Sequence, residues 1–319
     1  LQELGVYPRA EYKEANTKLL PVMRSTEDVD YLYLYHYMYE DEENYEGEIS
    51  LDGIYEPYVM DTWSGEISRV QNVSYEDGRI VIDVDVAPGE TMVFALKHGK
   101  GNEEKVSAEA VNVGDTSDDN TISLTGWSLT VDSYEPGEKV TRTEENQDTG
   151  VTTTEVAYTT NHMEIDAGTL SELIPWKEIE NVGETVSGVG TYTTTFELPE
   201  SWMEEWGIGA GNNDVNEGTD SNSVKNGNVS TGKIVFHADS FQGGTAAIWI
   251  NDTKVPVNMD RHTADLTPYV KSGENTITVR VTSSLRNVMI TQNYDGWIFG
   301  APEPDNYGMI GETKLVYTK

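Results

Sequence analysis

The chain has 319 residues, with 56 Asp and Glu against 21 Lys and Arg and a formal charge of −35 at pH 7. A field of that sign repels phosphate backbones and anionic lipid, so neither nucleic acid partners nor membrane insertion is expected. Cysteine is absent, which excludes disulfide scaffolds, zinc-thiolate sites and cysteine nucleophiles. No run approaches the roughly 18 apolar residues of a membrane span, and a start at Leu1 without initiator Met or signal peptide reads as a start inside a longer protein.

The length suits two domains of roughly 100–200 residues each. Strand-type segments dominate, rich in Thr, Val, Tyr and Ile with alternating polarity, as in Arg79 to Val86, Tyr192 to Leu198 and Thr276 to Val281. Turn signals at Asp77-Gly78, Pro88-Gly89, Pro136-Gly137 and Ser272-Gly273 separate them at short intervals. That spacing predicts an all-β chain of two antiparallel β-sandwich domains, covering 1–105 and 106–319.

In the first domain, Tyr31 to Tyr37 alternates Tyr with Leu or His and reads as one strand with its Tyr on a single face. Such a face is either a stacking platform for sugar rings or a surface packed on a neighbouring layer. The second is the expectation, because strand aromatics commonly fill sheets. Lys97 to Asn120 has few large apolar residues and suits a linker. The second domain opens at Ile122 to Leu129, and residues 135–155 form a charged, Thr-rich excursion expected to be a long hairpin. Residues 207–232, rich in Gly, Asn, Asp and Ser, read as a long loop. Within it Asn212, Asp214 and Asn216 alternate as in a calcium loop, so a structural calcium is a candidate. Glu217 stands where the sharp turn needs Gly, and Ser223 where the bidentate Glu belongs.

Glycoside hydrolysis needs two carboxyl groups flanking the scissile bond, and 56 acidic residues single out no pair. The five histidines, His36, His98, His162, His237 and His262, form no HxxxH or HExxH arrangement, and no GxSxG elbow or phosphate-binding Gly loop occurs.

The last third carries an ordered string of segments: Gly188 to Pro199, Ala247 to Val255, and Ala264 to Val281. This order resembles the galactose-binding-like jelly roll beside the catalytic barrels of family 2 glycoside hydrolases and at the tail of α-L-rhamnosidases. Ser284-Leu285-Arg286-Asn287 and Tyr307 to Gly311 look like the endings of rhamnosidase-like tails. Asp61 to Ile67, with Tyr75 and Ala87 to Thr91, is similar to the small β-sandwich that follows the barrel in those enzymes. The resemblance covers most of 28–96 and 186–316 and includes no (β/α)₈ barrel. It implies a non-catalytic, carbohydrate-binding or accessory region of a secreted or cell-surface bacterial glycoside hydrolase. Its partners would be an oligosaccharide or polysaccharide and the catalytic domain of the same parent, with no cofactor. A structural spacer or adhesin-type module, and a self-contained glycosidase, are the alternatives.

Sugars are held by aromatic faces and fixed polar groups on loops at a sandwich end. Tyr294, Asp295 and Trp297 flank a flexible Gly296 and form the leading candidate. Asp260, Arg261 and His262 would lie on a neighbouring loop, with Arg286 and Asn287 as further donors. Against this stands a reading in which Trp297 plugs the sandwich end and Arg286 pairs with a surface acid.

Overall fold

The computed structural model describes residues 8–14, 16–41, 43–70, 73–99, 120–200, 202, 232–291 and 303–318. Two compact units emerge, one from the described residues up to Gly99 together with Asn258–Arg261, the other from the described remainder. All strand pairings in both units are antiparallel, so the expected all-β architecture of antiparallel sandwiches is the one observed.

The first unit contains β1 (Ala10–Tyr12), β2 (Leu19–Ser25), β3 (Val29–His36), β4 (Tyr45–Asp52), β5 (Tyr55–Met60), β6 (Ile67–Arg69), β7 (Val73–Glu76), β8 (Arg79–Val86) and β9 (Thr91–His98). They form a four-stranded sheet in the order β1-β4-β8-β7 and a five-stranded sheet in the order β2-β3-β9-β5-β6. Successive strand side chains point to opposite faces, and the core takes one residue in two. Leu32, Leu34, Phe94 and Leu96 of the five-stranded sheet meet Ile49, Leu51, Ile80 and Ile82 of the four-stranded one. On β3, Asp30, Leu32, Leu34 and His36 are buried, whereas Tyr31 and Tyr33 are exposed. The expectation that the Tyr face packs on a neighbouring layer is therefore overturned. The pleat lets only one face of β3 turn inward, and the aliphatic Leu residues take it; a Tyr ring turned outward keeps its hydroxyl in water.

The second unit contains β10 (Thr121–Ser123), β11 (Ser128–Glu145), β12 (Thr152–Thr169), β13 (Gly188–Leu198), β14 (Lys233–Gln242), β15 (Gly244–Ile250), β16 (Thr253–Val255), β17 (Thr263–Asp265), β18 (Gly273–Ser283), helix α1 (Arg286–Thr291) and β19 (Gly308–Thr318). The sheets run β10-β19-β14-β17 and β12-β11-β13-β18-β15-β16. Asn251 and Asp252 adopt φ of 47° and 69°, the left-handed pair of a type I′ turn, and set Ile250 opposite Thr253. Buried Asn275 ties this corner: its Oδ1 accepts from Lys271 N–H and Asn251 Nδ2, while its own Nδ2 donates to the Lys271 and Gly273 carbonyls. The excursion after Leu129 is the β11–β12 hairpin, longer than the expected 135–155.

Tyr192 on β13 sits where the two sheets of this unit meet. Its hydroxyl accepts from Trp176 Nε1 at 2.7 Å and from Met309 N–H of β19 at 3.1 Å. Glycine at 190 and 308 makes room, because a Cβ at either position would collide with the Trp176 indole. Burial pushes the Tyr192 phenol up from 10.0 to about 12, outweighing the two donors that favour the ionised form. Between these values the unfolded chain ionises while the folded one stays protonated, so stability falls as pH rises from 10 towards 12. Tyr192→Phe is expected to remove that part of the alkaline loss. At neutral pH it should destabilise by about 1–3 kcal/mol, since two buried donors lose their acceptor. Urea unfolding at pH 7 and at pH 11 measures both effects.

Candidate functional site

The outer face of the five-stranded sheet carries apolar residues aligned across its strands. Register places Val22 opposite Tyr33, Tyr33 opposite Val93, Val93 opposite Met60 and Met60 opposite Ile67. One apolar row thus crosses every strand of the sheet, about 19 Å at the usual strand spacing. Tyr33 and Val22 are each 40% exposed and Ile67 58%. The next row runs Arg24, Tyr31, Ala95, Tyr58, Arg69, and beyond Tyr33 on the other side lie Leu20, Tyr35 and Thr91. Tyr33 Oη lies 3.3 Å from Thr91 Oγ1, and Arg69 reaches Glu56 at 3.6 Å. A hydrogen bond to Glu56, ahead of some burial, raises the Tyr58 phenol above its ordinary range. Arg24 and Arg69 stand at the two ends of the row next to it, on a chain that is strongly acidic as a whole.

A second feature lies in the other unit, where a cleft of about 520 Å³ is lined by Ser123, Thr125, Trp127, Ser171, Glu172 and Glu312, among others. That volume falls within the range of small-ligand sites. Its floor is rigid. Trp127 Nε1 donates to Thr313 Oγ1, which donates in turn to the Leu124 carbonyl, while Leu124 N–H donates to the Thr313 carbonyl. The Trp127 ring is fully buried and offers no stacking face. The lining is mixed: Ser123, Thr125, Ser171, Glu172 and Glu312 bring hydroxyls and carboxylates, and Leu170, Leu173 and Ile174 bring apolar surface. Neither surface was found from the sequence. The cleft residues come from three separate stretches with no shared motif, while the sheet face was readable only as the alternation along β3.

The residues nominated from sequence fall into three groups. Tyr294, Asp295 and Trp297 lie outside the described residues, as do Asn212, Asp214 and Asn216. Among the described residues no group of three or more His, Asp or Glu is placed to hold a metal ion. Arg286 and Asn287 open α1 and are occupied by their own unit. Arg286 Nη1 donates to Asp305 Oδ1 at 2.7 Å and to the Glu303 carbonyl; Asn287, buried, exchanges two hydrogen bonds with the Asp305 backbone. They clamp the start of α1 onto the segment before β19, so the reading in which Arg286 pairs with a surface acid describes what is seen.

Asp260, Arg261 and His262 are also tied down. Asp260 Oδ2 accepts from Trp63 Nε1 at 3.1 Å. Arg261 Nη2 donates to Glu90 Oε2 at 2.7 Å and to the Asp85 carbonyl at 2.7 Å, and its Nε donates to both Glu90 oxygens. Burial works against the Arg261 charge, but Glu90 and Asp85 outweigh it and hold the guanidinium protonated. Glu90 is itself buried, and its Oε2 also accepts from Ala87 N–H. His262 adopts φ of 52°, its carbonyl accepts from Ala238 N–H, and its ring edge meets Phe241 at 5.5 Å. Arg261 thus serves as a structural cation, a role the sequence signalled only through the acidic residues at 85 and 90.

With the fold in place, solved structures supply a comparison. The rhamnosidase from Novosphingobium sp. PP1Y aligns over 99% of this chain at a TM-score of 0.61 and 15% identity. The chain shares a fold with part of that enzyme. It spans a quarter of the rhamnosidase's length, 25%. An FMN-binding beta-glucuronidase from Facaelibacterium prausnitzii L2-6 and a beta-glucuronidase from an uncultured Clostridium sp. each align over 62% of the chain, at 14% and 13% identity, spanning 22% and 29% of their lengths. Their TM-scores of 0.31 and 0.30 are too low to add to the argument. No protein-family model matches the sequence, and no curated protein matches it.

Arg261→Ala would leave Glu90 buried without its cation and is expected to cost about 2–4 kcal/mol, with Arg261→Lys intermediate because Lys loses the bidentate fork. Denaturant unfolding of the three proteins checks this, with any saccharide binding expected to be unchanged wherever the variant remains folded.

Proposed function

We propose that this chain is a non-catalytic accessory region of an exported glycoside hydrolase of rhamnosidase type, whose first unit docks on the catalytic domain of the same parent. The observation that carries the reading is the apolar row Val22, Tyr33, Val93, Met60 and Ile67 on a strongly acidic chain, with Val22, Tyr33 and Ile67 exposed and Val93 and Met60 half-buried. A saccharide platform needs flat ring faces and converging donors, whereas this row is largely aliphatic and spans a whole sheet, which is the chemistry of a protein contact. The fold shared with part of a rhamnosidase, over almost the full length of this chain, supports a hydrolase parent. The segment order from Gly188 to Val281 supports a galactose-binding-like jelly roll for the second unit. Saccharide contact belongs in this reading to that unit, where the 520 Å³ cleft offers Glu172, Glu312 and hydroxyls.

The purified chain is expected to leave nitrophenyl glycosides, the rhamnoside included, unhydrolysed; turnover that tracks the chain through purification would make it an enzyme in its own right. Calorimetric titration with rhamnose-containing oligosaccharides separates the surfaces. Glu172→Ala with Glu312→Ala should weaken binding at least tenfold, while Tyr33→Ala should leave it unchanged. Loss of binding in Tyr33→Ala would instead make the sheet face the sugar platform, and loss in Trp297→Ala alone would move the site to the segment around residue 297.

A further inference from the structure

The β11–β12 hairpin leaves its sheet. β11 pairs with β13 only over Ser128–Ser133, yet its pairing with β12 continues to Glu145 opposite Thr152. The twelve residues from Tyr134 to Glu145 therefore carry a two-stranded ribbon about 40 Å along its axis, and every β12 residue from Thr152 to Glu164 is exposed. An isolated two-stranded ribbon is marginal in water, so one this long gains from a further strand.

The two edges of the ribbon are treated differently. β11 carries the devices that blunt an edge: Pro136, a register break between Pro136 and Lys139, and the cations Lys139 and Arg142. β12, the terminal strand in its sheet among the described residues, carries none over Thr152–Thr160. That stretch is Thr-Thr-Thr-Glu-Val-Ala-Tyr-Thr-Thr, with no Pro, no Gly and a single charge, the composition that favours strand addition.

Backbone geometry fixes which groups are on offer. Asn146 N–H donates to the Val151 carbonyl, so hydrogen-bonded pairs of the β11–β12 ladder fall at Glu144/Thr153, Arg142/Glu155 and Val140/Ala157. The amides and carbonyls of Thr152, Thr154, Val156 and Tyr158 then point off the free edge. We infer that two copies of this chain associate through these edges, β12 against β12 in antiparallel, with Val156 at the two-fold axis. This register sets Thr154 opposite Tyr158, Glu155 opposite Ala157 and Thr153 opposite Thr159, and it brings outward groups opposite outward groups. A shift to Glu155 at the axis would oppose two carboxylates. A closed two-fold pairing is self-complementary and consumes both edges, so assembly stops at the dimer.

Sedimentation of the full chain at ~50 µM is the test. A dimer is expected, strengthening as salt rises from ~0.01 M to ~0.15 M, where the screening length falls from about 30 to about 8 Å. Val156→Pro removes an outward N–H without touching a β11–β12 hydrogen bond, and Val156→Lys places a charge on the axis. Each should weaken the dimer at least tenfold with an unchanged circular dichroism spectrum, and the Lys variant decides the matter if the Pro variant misfolds. Because the chain lacks cysteine, Val156→Cys provides a register test. Its counterpart lies about 5.5 Å away across a hydrogen-bonded pair, within disulfide reach, whereas Tyr158→Cys lies about 14 Å from its own. Oxidation should therefore cross-link Val156→Cys and spare Tyr158→Cys. A monomer at both salt concentrations, a dimer indifferent to both Val156 variants, or equal cross-linking at 156 and 158 would overturn the inference.

Discussion

The two-residue period of the β-strand governs the first unit. Each strand has one face for the core and one for everything else, and stacking two sheets uses up the first face completely. In β3 this forces a choice between the Leu set and the Tyr set, and the core takes Leu32 and Leu34. The Tyr set is left outside, beside Val22 and Val93. The same alternation that builds the core thus generates the surface, because the outer face of a five-stranded sheet is a continuous plane on which register aligns five apolar residues.

Among the described residues, polar side chains of the second unit fasten its own segments together. Asn287 and Arg286 hold the start of α1, and Asn275 braces the Asn251–Asp252 corner. Arg261, grouped with the first unit, neutralises buried Glu90. A buried polar group without a partner costs far more than a typical hydrogen bond contributes, so in an all-β scaffold with long loops many such side chains are spent on satisfying one another. Glu172 and Ser171 instead line the cleft beside the Trp127–Thr313 floor.

The ribbon arm belongs to neither core. Its strands extend twelve residues past the last pairing with β13, with β12 exposed from Thr152 to Glu164 and β11 half-buried at Tyr134 to Gly137 and at Val140. Edge chemistry is what distinguishes its two sides, with Pro136, Lys139 and Arg142 on one and an unbroken Thr, Val and Tyr run on the other.

The strands themselves were legible in the sequence. Arg79 to Val86 is β8 as the alternation marked it, and Tyr192 to Leu198 and Thr276 to Val281 fall within β13 and β18. The Asn251-Asp252 corner is likewise set locally, since few residue pairs accept two left-handed conformations in succession. These are local properties, written in pleat period and turn chemistry within a few residues. What the tertiary structure decided is non-local: which face of β3 turned inward, that Val22, Val93, Met60 and Ile67 align with Tyr33, and that Arg261 meets Glu90 across 171 positions of chain. Alternation specifies that a strand has two faces, but only the partner strands and the layer beneath determine where each face ends up.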